Sequence, residues 1–482
     1  MTASFLFHDY ETFGADPARD GIAQFAAIRT DADLNPVGEA IDVTCLPVAD
    51  RLPHPEACLV TGLTPQDLLE GGLPEPAFAA TVHEAMAEPG TCSLGYNTIR
   101  FDDAFTRHLL WRNFHDPYAR EWRDGNSRFD LIDLARLCHA LRPEGIEWPL
   151  RDDGRPSFRL EHLARANRLD QARAHDALSD VEATLGLARL LRDRQPRLWR
   201  FALTLRDRHR VRELLDWRQG TAVLHASEKY GAERGCTALV LPIAPSADSE
   251  HGVHVVDLMA DPAPLIEIDL EELRDRLYTP RADLPEGVAR PAVKTVYGNR
   301  CPMLAPVSVL AGVDLVRIGL DPDRCERHRQ RLLAAPGIRE KLAALMARPA
   351  DAAPAADAEL SLYRGGFPSR AERARLDAVR RTPPASLAAL AGGFEQERHR
   401  ELLWRHRGRH FPQTLTAGER GRWREFMAAR LRGSHPLSAH GLDDYHAGIA
   451  TLRGQVAPGP GQAVLDRLDD WGRQLAAAWL DD

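Results

Sequence analysis

The 482-residue chain contains no run of about 18 apolar residues, so no segment of it is expected to span a bilayer as a helix. Its N-terminus lacks a basic stretch leading into a long apolar one, which removes a secretory signal from the expected reading. Cysteine is sparse and unpatterned: seven residues, an odd number without a Cys-x-x-Cys pair, fit neither a disulfide framework nor a zinc ribbon. These absences point to a reducing, cytoplasmic location without membrane association. Lysine is scarcer still, since all but Lys229, Lys294 and Lys341 of the 62 basic residues are Arg. The net charge of −8 leaves no overall basic footprint of the kind nucleic-acid binders carry, although a net value conceals distribution. No internal repeat is present. What is there is ordinary globular composition, 44% hydrophobic and 27% charged, at a length that suits about three domains.

Residues 1–195 alternate strand-like runs (Phe5 to His8, Gln24 to Arg29, Ile41 to Cys45) with helical periodicity at Ala77 to Met86, Ala104 to Arg112, Leu131 to Leu141 and Ala177 to Leu191. That alternation predicts an α/β domain. Residues 196–350 begin with one helix over Phe201 to Leu215. Short β-type runs follow at Ala222 to Ala226, Thr237 to Pro242, Val253 to Leu258, Leu265 to Ile268 and Ala292 to Tyr297, which predicts a small barrel or sandwich. The Ala/Pro-rich stretch from Arg348 to Asp357 reads as a linker. Residues 351–482 beyond it read as helical at Ser369 to Arg381, Phe394 to His410, Ala417 to Arg432 and Ala463 to Leu480.

The first strand ends in Phe7-His8-Asp9-Tyr10-Glu11-Thr12. Strand alternation puts Asp9 and Glu11 on one face, where two like charges repel unless a cation lies between them. Alone, the pair also fits an edge strand with two solvated acids. Two further acidic motifs in the same region decide the matter: Gly95-Tyr96-Asn97-Thr98-Ile99-Arg100-Phe101-Asp102 at the start of an amphipathic helix, and His175-Asp176-Ala177-Leu178-Ser179-Asp180 on a later one. Four carboxylates can cage two metal ions, and hard oxygen donors favour Mg²⁺, with Mn²⁺ as the other choice. Such a pair of ions serves in-line phosphodiester hydrolysis. His175, five residues before Asp180, supplies a general base that titrates near neutrality.

A second feature lies far downstream. Between Arg398 and Arg424 the chain carries eight Arg against Glu401 and Glu419, with Trp404, Phe411 and Trp423 among them. Guanidinium and aromatic rings together suit phosphates and unstacked bases, so Arg405, Arg407 and Arg409 are expected to contact nucleic acid. Solvated arginine faces on helices are the plainer alternative.

The ordered set Asp9-x-Glu11-Thr12, Asn97-x-x-x-Phe101-Asp102 and His175-x-Ala177-x-x-Asp180 resembles the three motifs of the DEDDh 3′–5′ exonuclease superfamily. Phe7 to Gly14, Gln24 to Asp31, Leu141 to Ile146, Pro156 to Leu163, Leu277-Tyr278-Thr279, Asn113-Phe114 and Phe411 to Leu415 extend the resemblance, over nearly the whole chain, to bacterial exonuclease I. That resemblance implies an RNase H-like exonuclease domain, an SH3-like barrel and a C-terminal helical domain around a single-stranded DNA channel. It implies Asp9, Glu11, Asp102 and Asp180 as metal ligands and His175 as the base, and selects Asp102 over its neighbour Asp103. His8 is then a packed histidine and Asp176 a helix N-cap. Thr12 and Phe13 would hold the terminal nucleotide, with core packing the alternative for Phe13. Arg142, Arg317 and Arg339 would form a basic pocket for the C-terminal tail of single-stranded-DNA-binding protein, with a basic residue replaced near Thr221. The expected enzyme is a monomer that degrades single-stranded DNA to 5′-mononucleotides in repair and recombination. A smaller DEDDh nuclease, such as a proofreading subunit or an oligoribonuclease, shares the five catalytic residues but needs only about the first 190. A noncatalytic nucleic-acid-binding scaffold is the alternative from another class.

Overall fold

The computed structural model describes residues 4–169, 176–347 and 357–481. The described residues of Met1–Ser127, Ala172–Glu182 and Ala352–Asp482 form one compact unit, and those of Arg128–Gln171 and Ala183–Asp351 a second. Most of the linker read at Arg348 to Asp357 lies outside the described residues.

The first unit is organised on β1 (Ser4–Thr12), which pairs antiparallel with β2 (Ile22–Thr30) and parallel with β4 (Thr91–Gly95). β3 (Ile41–Thr44) adds to β2, giving the order β3-β2-β1-β4 within this unit, and β5 (Ser127–Asp130) begins where the chain leaves it. A strand covered on both faces of its sheet needs apolar residues on both, and Phe5, Leu6 and Phe7 are all buried. Leu6, Tyr10 and Phe25 pack against Phe78, Val82 and Met86 of the helix Glu75–Ala87 and against Phe105 and Leu109 of the helix Asp102–Arg112.

The C-terminal helices complete this unit rather than standing apart. Leu442, Tyr445 and Ile449 of helix Leu442–Arg453, with Leu465, Leu468 and Trp471 of helix Pro460–Trp479, enclose Phe13, Leu52, Cys58 and Leu68. Trp111 and Phe114 are sealed by Leu362, Val379, Phe394 and Leu402. The helix Leu442–Arg453 carries no strong periodicity in sequence, and it was not among the expected helices.

The second unit holds a five-stranded antiparallel sheet in the order β10-β6-β7-β8-β9, made of β6 (Val223–Ala226), β7 (Thr237–Pro245), β8 (Gly252–Asp257), β9 (Val293–Tyr297) and β10 (Met303–Pro306). Two local expectations fail here. Leu265 to Glu267 belong to the short helix Ala263–Glu267, with Ile268 as its extended C-cap, because Pro262 leads the turn and Asp261 accepts the Ala263 N–H at 3.0 Å; a four-residue, largely apolar run does not by itself choose strand over helix. The single helix over Phe201 to Leu215 is two, Pro196–Thr204 and Arg208–Leu214, since the Asp207 side chain accepts the His209 N–H at 2.8 Å and starts a new one. All seven cysteines are free, and no helix among the described residues is long and apolar enough to cross a membrane.

Candidate active site

Three elements of the first unit bring the acids together. Asp9 and Glu11 lie two apart on β1, and the pairing register with β2 shifts between Glu11 and Thr12, which ends the regular strand beside the second acid. The start of helix Ala177–Arg194 is held to the same sheet: the Ala177 N–H reaches Gln24 Oε1 on β2 at 3.3 Å. Asp176 caps that helix by accepting the Ser179 N–H at 3.2 Å. One turn on, Asp180 offers an oxygen that lies, with one from Asp9 and one from Glu11, in a set all within 4.8 Å of one another. Among the described residues, no His or Cys belongs to the set.

Asp102 joins from below. The loop after β4 passes so close to β1 that a Cβ at Gly95 would stand 2.6 Å from the His8 carbonyl oxygen, so only glycine fits there. It delivers the buried Asp102 to the start of its helix, where Oδ1 accepts the Tyr10 N–H at 3.2 Å. Tyr10 Oη is 2.9 Å from Thr106 Oγ1 one turn along, which fixes the helix against the strand. The neighbouring Asp103 is committed elsewhere, since Arg120 Nη2 reaches its Oδ1 at 2.6 Å in a fully buried pair. His8 is buried and its pKa is pushed down to about 4, chiefly by desolvation, so it packs as a neutral ring.

The acids strain against one another. Burial, then Asp102, Glu11 and Asp180, hold the Asp9 carboxyl well above the usual range. Burial, then Asp180 and Asp176, push Glu11 up to about 8. A cluster of carboxylates that resist ionisation together is what a divalent cation relieves, and an all-oxygen donor set fits magnesium or manganese better than a metal that seeks nitrogen or sulfur. His175 lies outside the described residues.

An open cleft of about 1130 Å³ adjoins the cluster, lined by Tyr10, Glu11, Thr12, His54 and Phe101 among others. Thr12 is at this wall, its Oγ1 donating to the Gly14 carbonyl at 2.7 Å. Phe13 points the other way and is buried in the core under the C-terminal helices, so the expectation that it holds a nucleotide is corrected to packing. His54 and Asp20 at the cleft were missed, because nothing in their local sequence marks them.

The arginine-rich stretch also reads differently in three dimensions. Arg405 binds Asp357 (2.7 and 3.0 Å), Glu359 (3.2 Å) and Glu401 (3.0 Å); Arg407 binds Glu419 at 2.6 Å; Arg409 binds Asp50 (2.8 and 3.0 Å) and Glu359 (2.5 Å). Their side chains are at most 5% exposed, so none of the three faces a strand of DNA, and the expected nucleic-acid contact is replaced by an internal ionic lattice. The exposed arginines of the stretch are Arg420, Arg422 and Arg424.

In the second unit, Arg142 and Arg317 meet at the end of helix Leu131–Leu141. Arg142 donates to the carbonyls of Leu141, Val309 and Ala311, and Arg317 to that of Ala140 at 2.7 Å. Arg339 lies over the Trp217 ring, 5.2 Å from its centroid.

Comparison with known proteins places this geometry. Residues 6–188 match the Exonuclease family model, 206–348 the Exonuclease I SH3-like domain and 356–475 the Exonuclease I C-terminal domain. Exodeoxyribonuclease I of Escherichia coli (strain K12) is 46% identical over 423 residues, which cover 88% of this chain and 89% of that protein. A zinc-bound crystal structure of the E. coli enzyme with single-stranded DNA superposes with a TM-score of 0.93 at 42% identity over 98% of this chain and all of that one. An ExoI/SSB-Ct complex superposes with a TM-score of 0.90 at 42% identity and the same coverage. The carboxylate cluster on β1 therefore lies in an exonuclease domain, and the chain, an α/β exonuclease region followed by an SH3-like region and a helical C-terminal region, belongs to the exodeoxyribonuclease I family.

Proposed function

We propose that this enzyme removes 5′-mononucleotides from the 3′ end of single-stranded DNA, using two Mg²⁺ ions held by Asp9, Glu11, Asp102 and Asp180 and a proton acceptor at His175. The observation that carries the proposal is the convergence of Asp9, Glu11 and Asp180 oxygens within 4.8 Å of one another. Ions bound there would polarise the attacking water and stabilise the leaving oxygen. The remaining work falls to the chain itself. The Tyr10 N–H orients the Asp102 carboxylate, and the Gln24 and Asp176 contacts hold the first turn that carries Asp180. His175 takes the proton from the water as it attacks phosphorus. The zinc-bound relative fits a site open to several divalent cations, while the oxygen-only donors favour magnesium as the working ion.

The partner reading follows the same relatives. Arg142, Arg317 and Arg339 would supply basic groups for the acidic C-terminal tail of single-stranded-DNA-binding protein, and a role in DNA repair and recombination is consistent with delivery to strands coated by that protein.

Digestion of end-labelled single-stranded DNA, duplex DNA and RNA tests the substrate. The expected result is metal-dependent release of 5′-mononucleotides from the single strand alone. His175→Ala should lower kcat by roughly 10²–10⁴ while sparing metal affinity, and should abolish the fall in wild-type rate as pH drops through the histidine's titration. Unchanged pH profiles in the two proteins would remove His175 from the mechanism.

A further inference from the structure

The cleft beside the acids carries a histidine, His54, that the mechanism does not use. The His54 N–H donates to the Phe13 carbonyl at 2.7 Å, which ties this residue to the chain just past β1, two residues beyond Glu11. Its Nε2 lies 3.4 Å from Asp20 Oδ1. Asp20 is only 1% exposed, accepts the Asp16 N–H on its other oxygen at 2.8 Å, and its own carbonyl accepts from Arg51 at 2.7 Å. A Cβ at Gly14 would stand 2.1 Å from Asp20 Oδ2 and 2.5 Å from His54 Cδ2, so the bare backbone of Gly14 is the floor on which the pair rests. From the C-terminal region, His440 sets its ring 4.6 Å from that of His54, edge to face, and itself stacks on Tyr445. The imidazole of His54 is thus fixed on three sides, with about a third of its surface left open on the cleft that Glu11 and Thr12 also line.

We propose that His54, oriented by Asp20, is a substrate-binding residue that donates from its imidazole to a phosphodiester of the strand end seated in the cleft. The inference rests on the exonuclease reading and adds a cation to a wall that is otherwise acidic: Glu11, Asp16, Asp20 and Glu56 line the same cleft, and Arg19 there is spent on Asp16 at 2.6 Å. A polyanion approaching such a wall needs a positive group near the metal site, and with Nε2 turned to Asp20 the ring's second donor is Nδ1.

The charged groups around the ring agree on its state. The Asp20 contact raises the His54 pKa above its ordinary value against the opposing effect of burial, and Glu56 and Asp16 act in the same direction as Asp20. His440, lowered by burial and by His54, faces it as a neutral ring. The imidazolium of His54 therefore persists to higher pH than that of an ordinary histidine and is lost as pH rises through its raised value. Grip from His54 weakens with rising pH, whereas proton acceptance by a general base strengthens.

Steady-state hydrolysis of a short single strand by the full-length protein with Mg²⁺, measured from pH 6 to 9, separates these effects. His54→Gln should raise KM about tenfold at pH 6 and little at pH 9, with kcat and its acidic limb unchanged. His54→Arg should restore low KM and make it independent of pH. KM of His54→Gln equal to wild type throughout, or raised uniformly with no rescue by Arg, would overturn the proposal. Failure of the wild-type protein to hydrolyse single strands would instead overturn the exonuclease reading on which it rests.

Discussion

Two groups of shielded charge lie in the first compact unit, and they are built on opposite principles. Around β1, oxygens of Asp9, Glu11 and Asp180 crowd together, and the pKa values of Asp9 and Glu11 climb. Between the N-terminal region and helix Glu397–His410, every acid meets guanidinium: Asp50 with Arg409, Glu359 with Arg51, Arg405 and Arg409, Glu75 with Arg112. There, burial opposes ionisation of Asp50, but Arg409, Arg430 and Arg51 outweigh it and keep the carboxyl below its ordinary range. The lattice is complete in itself and serves structure. The acidic cluster makes ionisation of its own members costly, which is the electrostatic pattern expected of a candidate functional site.

The comparison breaks most visibly at Asp180. Asp180→Asn should reduce hydrolysis to the level of the chelated wild-type enzyme, a far larger loss than the roughly 10–100-fold that follows removal of a supporting partner at a metal site. Its stability in EDTA should equal or exceed that of wild type, because a repelling charge is gone. A variant that hydrolyses DNA at an ordinary rate would show that the cluster is not the metal site.

On the lattice side the expected sign is reversed. Arg409→Ala leaves Asp50 and Glu359 buried with a missing partner and should destabilise the protein by about 3–5 kcal/mol in denaturant titration. Arg422→Ala, which removes an exposed guanidinium lying over Trp404, should change stability by about 1 kcal/mol or less. If Arg409→Ala kept full stability and lost only affinity for single strands, the lattice would be a nucleic-acid surface after all.

The smallest expected effect sharpens the contrast through pH. Glu11 is raised to about 8 from a value near 4.5, so the metal-free fold binds its proton more tightly than the unfolded chain does. Stability from this group is full below the unfolded value and is lost as pH rises towards 8. Added Mg²⁺ should therefore raise Tm by about 2–4 °C more at pH 8.5 than at pH 6, read by differential scanning calorimetry. Equal shifts at both pH values would mean that the ion does not bind these carboxylates.

Much of this molecule is legible one segment at a time. The apolar run ending in Asp9-Tyr10-Glu11 declares a central strand with two acids on one face, because strand periodicity is a local property. The same locality makes Asp176 a readable N-cap. It fails at Leu265 to Ile268 and at Asp207, where a single capping side chain overrides a short hydrophobic pattern. It also fails for the barrel's last strand, Met303–Pro306, which is too short to stand out from its proline-flanked surroundings.

What the sequence by itself determined was the set of chemical groups and the elements that carry them: four acids and a histidine in three motifs, an arginine-rich helix, and an α/β region ahead of β-rich and helical ones. Only the tertiary structure decided which charges have partners. Asp102 and Asp103 are adjacent and chemically identical, yet Arg120 takes one and the Tyr10 N–H orients the other. Arg405 and Arg409 look like DNA contacts until Asp357, Glu359 and Asp50 arrive from elsewhere in the chain to neutralise them. His54 becomes notable only beside Asp20. The physical reason is that periodicity and capping act over a few residues, whereas the free energy of a charge depends on burial and on neighbours that folding brings from tens to hundreds of residues away.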